Sequence, residues 1–235
     1  MKRILMMVIR NLLFVPYGWI KLCYYASHVD KYTAEQRYAL LKYIDARANW
    51  GGKIKIDVHG RENIPEKDGF IFYPNHQGLY DVLAIIEACP RPFTVVMKKE
   101  VADIPFLKQV FACMKAYALD RDDVKQAMKV IMTVSKEAAQ GRNFLIFAEG
   151  TRSRDNQLLE FKGGSFKAAI KARCPIVPIA LIDSYKSFDT NSIKPLTVQV
   201  HFLKPINYEE YGNMKSVEIA SEVKKRIGNV IAEYE

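Results

Sequence analysis

Apolar residues in this chain fall into two alternating rhythms. Between 34 and 48 they recur at the helical period through Tyr38, Leu41 and Ile44, behind a Thr33/Gln36 capping-box pattern, which predicts a helix. At Gly51-Gly52 the texture changes: 53–59 alternates as a strand does, and 69–73 is a short apolar run ended by Pro74. The exchange of rhythms continues through the rest of the chain. It predicts helices at 81–89, 105–114, 122–140, 165–172 and 217–232, and strands at 93–97, 116–119, 144–147, 176–182 and 198–203. Such an alternation predicts an α/β fold, a single mixed sheet flanked by helices, with the loops that carry chemistry gathered at one edge of the sheet.

The start of the chain has a different character. Residues 4–25 are apolar but interrupted, and no stretch reaches the roughly 18 uncharged residues of a spanning helix. Ile4, Leu5, Val8, Ile9 and Leu12 keep helical spacing; Pro16 and Gly18 break the run before 19–25 resumes it. This predicts a kinked helix pair lying in a membrane interface, with Tyr17, Trp19, Tyr24 and Tyr25 at headgroup depth. A helix buried against the domain and a single tilted spanning helix are the alternatives. The expected division is a membrane-associating helical segment over 1–50 and an α/β domain over 51–235. Arg10, Asn11 and Pro16 break the apolar start as no cleavable secretory signal would.

Charge sharpens this. The 235 residues hold 35 Lys and Arg against 26 Asp and Glu, a net +9, which suits an anionic partner: a membrane surface, a nucleic acid or a phosphorylated substrate. The bias is uneven, because 1–29 contains Lys2, Arg3, Arg10 and Lys21 and no acid. Bases set among Ile, Leu, Met, Tyr and Trp fit an anionic bilayer surface better than a DNA groove, and no nucleic-acid motif is present. Four scattered cysteines without a CxxC pair read as reduced thiols facing the cytosol, not as a metal site. The expected location is the cytoplasmic face of the cell membrane.

Two runs carry candidate chemistry. NHQGLYD (75–81) sets His76 five positions before Asp81, at the junction of an expected strand and an expected helix. A turn there can bring the carboxylate to one ring nitrogen and leave the other free as a general base. The same spacing also fits a structural imidazole beside a helix-capping Asp81. FAEGTRS (147–153) delivers Glu149, Gly150, Thr151 and Arg152 past a buried strand, where glycine lets the backbone approach closely and an arginine can grip phosphate. Lys98, Arg121 and Arg152 each follow an expected strand, so one rim of the sheet could gather all three. A G-x-S-x-G elbow, a cysteine beside a histidine and a P-loop are all missing, which disfavours a covalent acyl-enzyme. His28, His59 and His201 lack a comparable neighbourhood.

In this order the blocks resemble the glycerolipid acyltransferase family, the 1-acyl-sn-glycerol-3-phosphate acyltransferases in particular, from about 55 to 205. NHQGLYD is similar to the family's His-x4-Asp block, VMKKEV with Lys98 to its basic segment, and KAYALDR with Arg121 to its second block. FAEGTRS is similar to the third and IVPIAL (176–181) to the fourth. Ala148 stands where the family has a proline, and Lys115 where it often has glycine. The resemblance implies that His76 and Asp81 are catalytic, that Glu149, Gly150 and Arg152 bind glycerol phosphate, and that Pro178 serves the acyl donor. It implies a lysophosphatidate acceptor and an acyl-CoA or acyl carrier protein donor, with no cofactor. Glycerol 3-phosphate or another lysophospholipid as acceptor, or an inactive lipid-binding relative, are the alternatives.

Overall fold

In the computed structural model, which describes residues 2–120 and 122–234, the expected strands join one seven-stranded sheet. They are β1 (Ile54–His59), β2 (Ile71–Pro74), β3 (Thr94–Lys98), β4 (Tyr117–Leu119), β5 (Phe144–Ile146), β6 (Ile176–Ile182) and β7 (Leu196–Phe202). Their order is β1-β7-β6-β2-β5-β3-β4, and only β6 and β7 pair antiparallel, so the sheet is mixed. The central strands are apolar without alternation because both faces are covered. Phe70, Phe72 and Leu145 pack on one side with α3 (Ala34–Gly52), α4 (Asp81–Ala88) and α5 (Leu107–Cys113). Ile71, Tyr73 and Phe144 pack on the other with α6 (Val124–Ala139), α7 (Lys167–Ala172) and α9 (Ser216–Ala232). A short α8 (Tyr208–Tyr211) precedes α9. Parallel register sets Ile71 beside Phe144 and Thr94 beside Phe144, so the loops leaving β2, β3 and β5 emerge along one edge.

The amino-terminal segment forms α1 (Lys2–Arg10) and α2 (Val15–Ser27), bent by 101°. The break falls at 11–14, not at Pro16 and Gly18. Pro16 sits in the first turn of α2, where its missing N–H has no helical partner to lose, and Gly18 lies inside that helix against the Phe14 ring. Among the described residues no single helix is long and apolar enough to cross a membrane.

The pair docks by one side. The expected change of texture at Gly51-Gly52 is not a helix end: α3 runs through both glycines and stops at Lys53, which is left-handed at φ 52. The glycines are a seat for α1. A Cβ on Gly51 would lie 2.2 Å from Asn11 Nδ2, and one on Gly52 2.5 Å from Met7 Cε. Arg3, expected at a membrane surface, is buried and donates to the carbonyls of Gly52 (2.6 Å) and Lys194 (2.9 Å). The other side leaves Ile9, Leu12, Leu13, Tyr17 and Ile20 in solvent.

Candidate active site

The loop after β2 is fixed from its first residue. Buried Asn75 donates to the Leu181 carbonyl (3.0 Å) and accepts from the Leu181 N–H (2.7 Å), which ties the loop to β6. Gln77 repeats the device: it donates to the carbonyl of Leu181 and accepts from the Ser184 N–H.

Between them stands His76, its Nδ1 2.7 Å from Asp81 Oδ2. Asp81 opens α4, so its carboxylate lies at the positive end of the helix and gathers further donors. The N–H groups of Gln77 (2.7 Å) and Gly78 (3.0 Å) reach Oδ2, and the Ser184 hydroxyl reaches Oδ1 at 2.6 Å. Asp81 and Ser184 have no solvent exposure. A carboxylate only accepts, so Nδ1 carries the hydrogen and Nε2 keeps its lone pair. The imidazole stacks on Phe147 with ring centroids 3.9 Å apart.

Glu149 holds the facing loop. Its Oε1 accepts from the His76 N–H (2.7 Å) and its Oε2 from the Leu159 N–H (2.9 Å). Burial pushes its carboxyl above the ordinary value, while the two N–H groups pull it down. The Ser153 N–H donates to the His76 carbonyl at 2.8 Å, closing the two loops onto each other.

His76 lines a groove of about 580 Å³. Lys98, Gly150, Thr151 and Arg152 line it too, as expected, and Lys162 and Glu100 complete its charged rim. Among the described residues, Lys98 and Arg152 enter no ion pair. Val95, Val96, Phe111, Ile131 and Ile146 form its apolar interior. Arg121 lies outside the described residues, although Leu119 at the end of β4 is part of the groove wall.

Two implied ligands lie elsewhere. Glu149 is 2% exposed, is not on the groove wall, and has both oxygens committed to backbone N–H groups. Pro178 is buried in β6 beside Tyr73 of β2, and its carbonyl accepts from the Leu203 N–H at 3.0 Å. Ser184 and Lys162 had no local signal, and Asn75, Gln77 and Phe147 sit inside the two runs, where spacing alone gives them no role. Ser184 acts on Asp81 across 103 positions, and Phe147 stacks on an imidazole from the other loop.

An imidazole with one nitrogen anchored and the other free, beside two cations and over an apolar interior, can deprotonate an alcohol on an anionic amphiphile. A family model described as Acyltransferase matches residues 55–182. The 1-acyl-sn-glycerol-3-phosphate acyltransferase of Borreliella burgdorferi is 32% identical over 189 residues, covering 77% of this chain and 75% of its own. That of Escherichia coli is 30% identical over 183 residues, with the same coverage of 77% and 75%. The crystal structure of the 1-acyl-sn-glycerophosphate acyltransferase from Thermotoga maritima superposes with a TM-score of 0.74 at 22% identity, covering 97% of this chain and 98% of that one; it shares the fold. With the model spanning over half of the chain and relatives matched along three quarters of their length, the chain belongs to the Acyltransferase family and is an acyltransferase.

Proposed function

We propose that the enzyme transfers a fatty acyl group from an acyl thioester to the sn-2 hydroxyl of 1-acyl-sn-glycerol 3-phosphate, giving phosphatidate. The observation that carries this reading is the Asp81-anchored imidazole of His76 in one groove with Lys98 and Arg152. The names of the relatives support the same acceptor.

His76 Nε2 takes the proton of the hydroxyl as its oxygen attacks the thioester carbonyl. Asp81 stabilises the imidazolium, and the tetrahedral intermediate expels the thiolate, which takes the proton back from His76. The products are phosphatidate and free thiol, so protons and charges balance. Lys98 and Arg152 hold the phosphomonoester, a role the family resemblance also gives to Arg121, with Gly150 and Thr151 giving the turn close approach to it. Glu149 acts on His76 through the backbone, and no cofactor takes part.

The donor is acyl-CoA or acyl carrier protein. The exposed apolar side of α1 and α2 rests on the anionic cytoplasmic face of the cell membrane, where the acceptor resides. Purified enzyme is to be offered one acyl thioester with lysophosphatidate, glycerol 3-phosphate or lysophosphatidylcholine, following free thiol. Fastest release with lysophosphatidate is expected; release with glycerol 3-phosphate alone would refute the assigned acceptor.

A further inference from the structure

The helix that walls one side of the catalytic groove turns a second face to solvent. Ala127 and Ile131 of α6 line the groove, and Val130, Val134 and Ala138 hold the helix to the sheet. Val124, Met128 and Met132 recur every four residues beside them and are 74%, 49% and 46% exposed. Single exposed apolar residues are ordinary, but these three form a continuous stripe about 12 Å long. With about 3.6 residues per turn, the stripe falls between the groove-lining positions and Lys125, Lys129 and Lys136. All three lysines are exposed, and among the described residues none enters an ion pair.

Two features say what this face meets. It begins at the groove: β4 ends at Leu119 on the groove wall, and α6 starts at Val124. It also lies away from the helix pair. The pair packs on α3 and α5, on one face of the sheet, and α6 packs on the other. A membrane under α1 and α2 therefore leaves the stripe of α6 to a partner arriving from solution.

An acyl thioester arrives either on a small anionic nucleotide or on a carrier protein. A nucleotide would use the lysines alone, whereas an apolar stripe of this length fits the flank of a protein helix. Methionine adapts its shape to such a partner, and the unpaired lysines select one that is acidic. We infer that this face of α6 docks an acyl carrier protein, an acidic helical partner that holds the thioester on a flexible arm, and so delivers it to the mouth of the groove. The surface is small, as suits a partner that must leave after each turnover. The assignment rests on the proposed function and names which of its two donors this surface fits.

The test reverses the charge and changes the donor. Full-length enzyme and its Lys125→Glu/Lys129→Glu variant are assayed with 1-oleoyl lysophosphatidate and either palmitoyl acyl carrier protein or palmitoyl-CoA. With the carrier protein, kcat/KM should fall about tenfold in the variant, and the parent's steep loss of rate with added salt should flatten. With palmitoyl-CoA the variant should stay within about threefold of the parent. Met128→Ser, which keeps every charge, should lower the carrier-protein rate selectively as well. An equal loss with both donors, or an unchanged ratio between them, overturns the assignment. So does loss of co-sedimentation with anionic liposomes in the charge-reversed variant, which would make this face a membrane contact. A parent active with palmitoyl-CoA and inactive with the carrier protein removes the docking surface alone; one inactive with both removes the proposed function too.

Discussion

Asp81→Asn separates the charge of the dyad from its shape. Oδ2 of Asp81 accepts from His76 Nδ1 at 2.7 Å and from the N–H groups of Gln77 and Gly78, and Oδ1 accepts from Ser184. An asparagine can put its carbonyl oxygen at the Oδ2 position and keep all three N–H donors. Its amide then faces the Ser184 oxygen, which can turn to accept. The buried network stays paired, so the variant is expected to fold. What disappears is the negative charge beside the imidazolium that forms when the acceptor loses its proton. At 2.7 Å and an effective dielectric near 20, that attraction is about 6 kcal/mol, of which the amide dipole restores a part. A net loss of about 4–5 kcal/mol lowers kcat by about a thousand- to ten-thousandfold. Acceptor KM should stay close to the parent value, because Lys98 and Arg152 are untouched. Thiol release under acceptor saturation measures kcat, and a cooperative thermal transition confirms the fold. A folded Asp81→Asn enzyme within tenfold of the parent kcat would refute the charge-stabilised dyad.

Arg152→Ala removes one charge-assisted grip on the phosphate and should raise acceptor KM about ten- to a hundredfold with a much smaller effect on kcat; a lysophosphatidate titration with unchanged KM would contradict it. Asp45→Asn should change how stability depends on pH. Burial, reinforced by Glu87, holds the folded carboxyl well above its unfolded value, so from about pH 4 upward the unfolded chain binds fewer protons and the parent loses stability as pH rises towards the folded value. The variant does not titrate, so its advantage in thermal melts should grow as pH rises above about 4; a constant difference would argue against a raised Asp45 carboxyl. Changing Leu12, Leu13 and Ile20, which are 65%, 97% and 68% exposed, to glutamate should leave the fold intact and release the enzyme from anionic liposomes; undiminished co-sedimentation would count against an interfacial helix pair.

The sheet was legible because its signals are local. Phe70 to Tyr73 is uninterrupted and apolar, as a strand covered on both faces must be, and Asp123, at the start of the helix expected over 122–140, caps α6 by accepting from the Lys125 and Gln126 N–H groups. The His76–Asp81 hydrogen bond was legible for the same reason: five positions between a strand end and a helix start leave one turn to close. Features set by distant contacts were not. Gly51-Gly52 reads as a breaker until α1 is seen packed on it, and Arg3 reads as a surface cation until two carbonyl groups are found to receive it. Ser184 carries no mark of its role, since Asp81 is its partner only after β6 has been laid beside β2. Glu149 looks like a ligand beside Arg152, yet the turn points it inward to the His76 backbone. Lys115 stands at φ 49, which explains why glycine suits that position. It pairs with Asp30 at 2.6 Å and is not on the wall of the catalytic groove.

The central claim is that His76 abstracts the proton of a lipid sn-2 hydroxyl. It is tested most directly by incubating parent and His76→Ala enzymes with 1-oleoyl-sn-glycerol 3-phosphate and a palmitoyl thioester, then resolving the acyl positions of the product by mass spectrometry. The parent should yield phosphatidate with palmitate at sn-2, and the folded variant should yield none above the uncatalysed background. Equal phosphatidate from both, or palmitate at another position, would contradict the account.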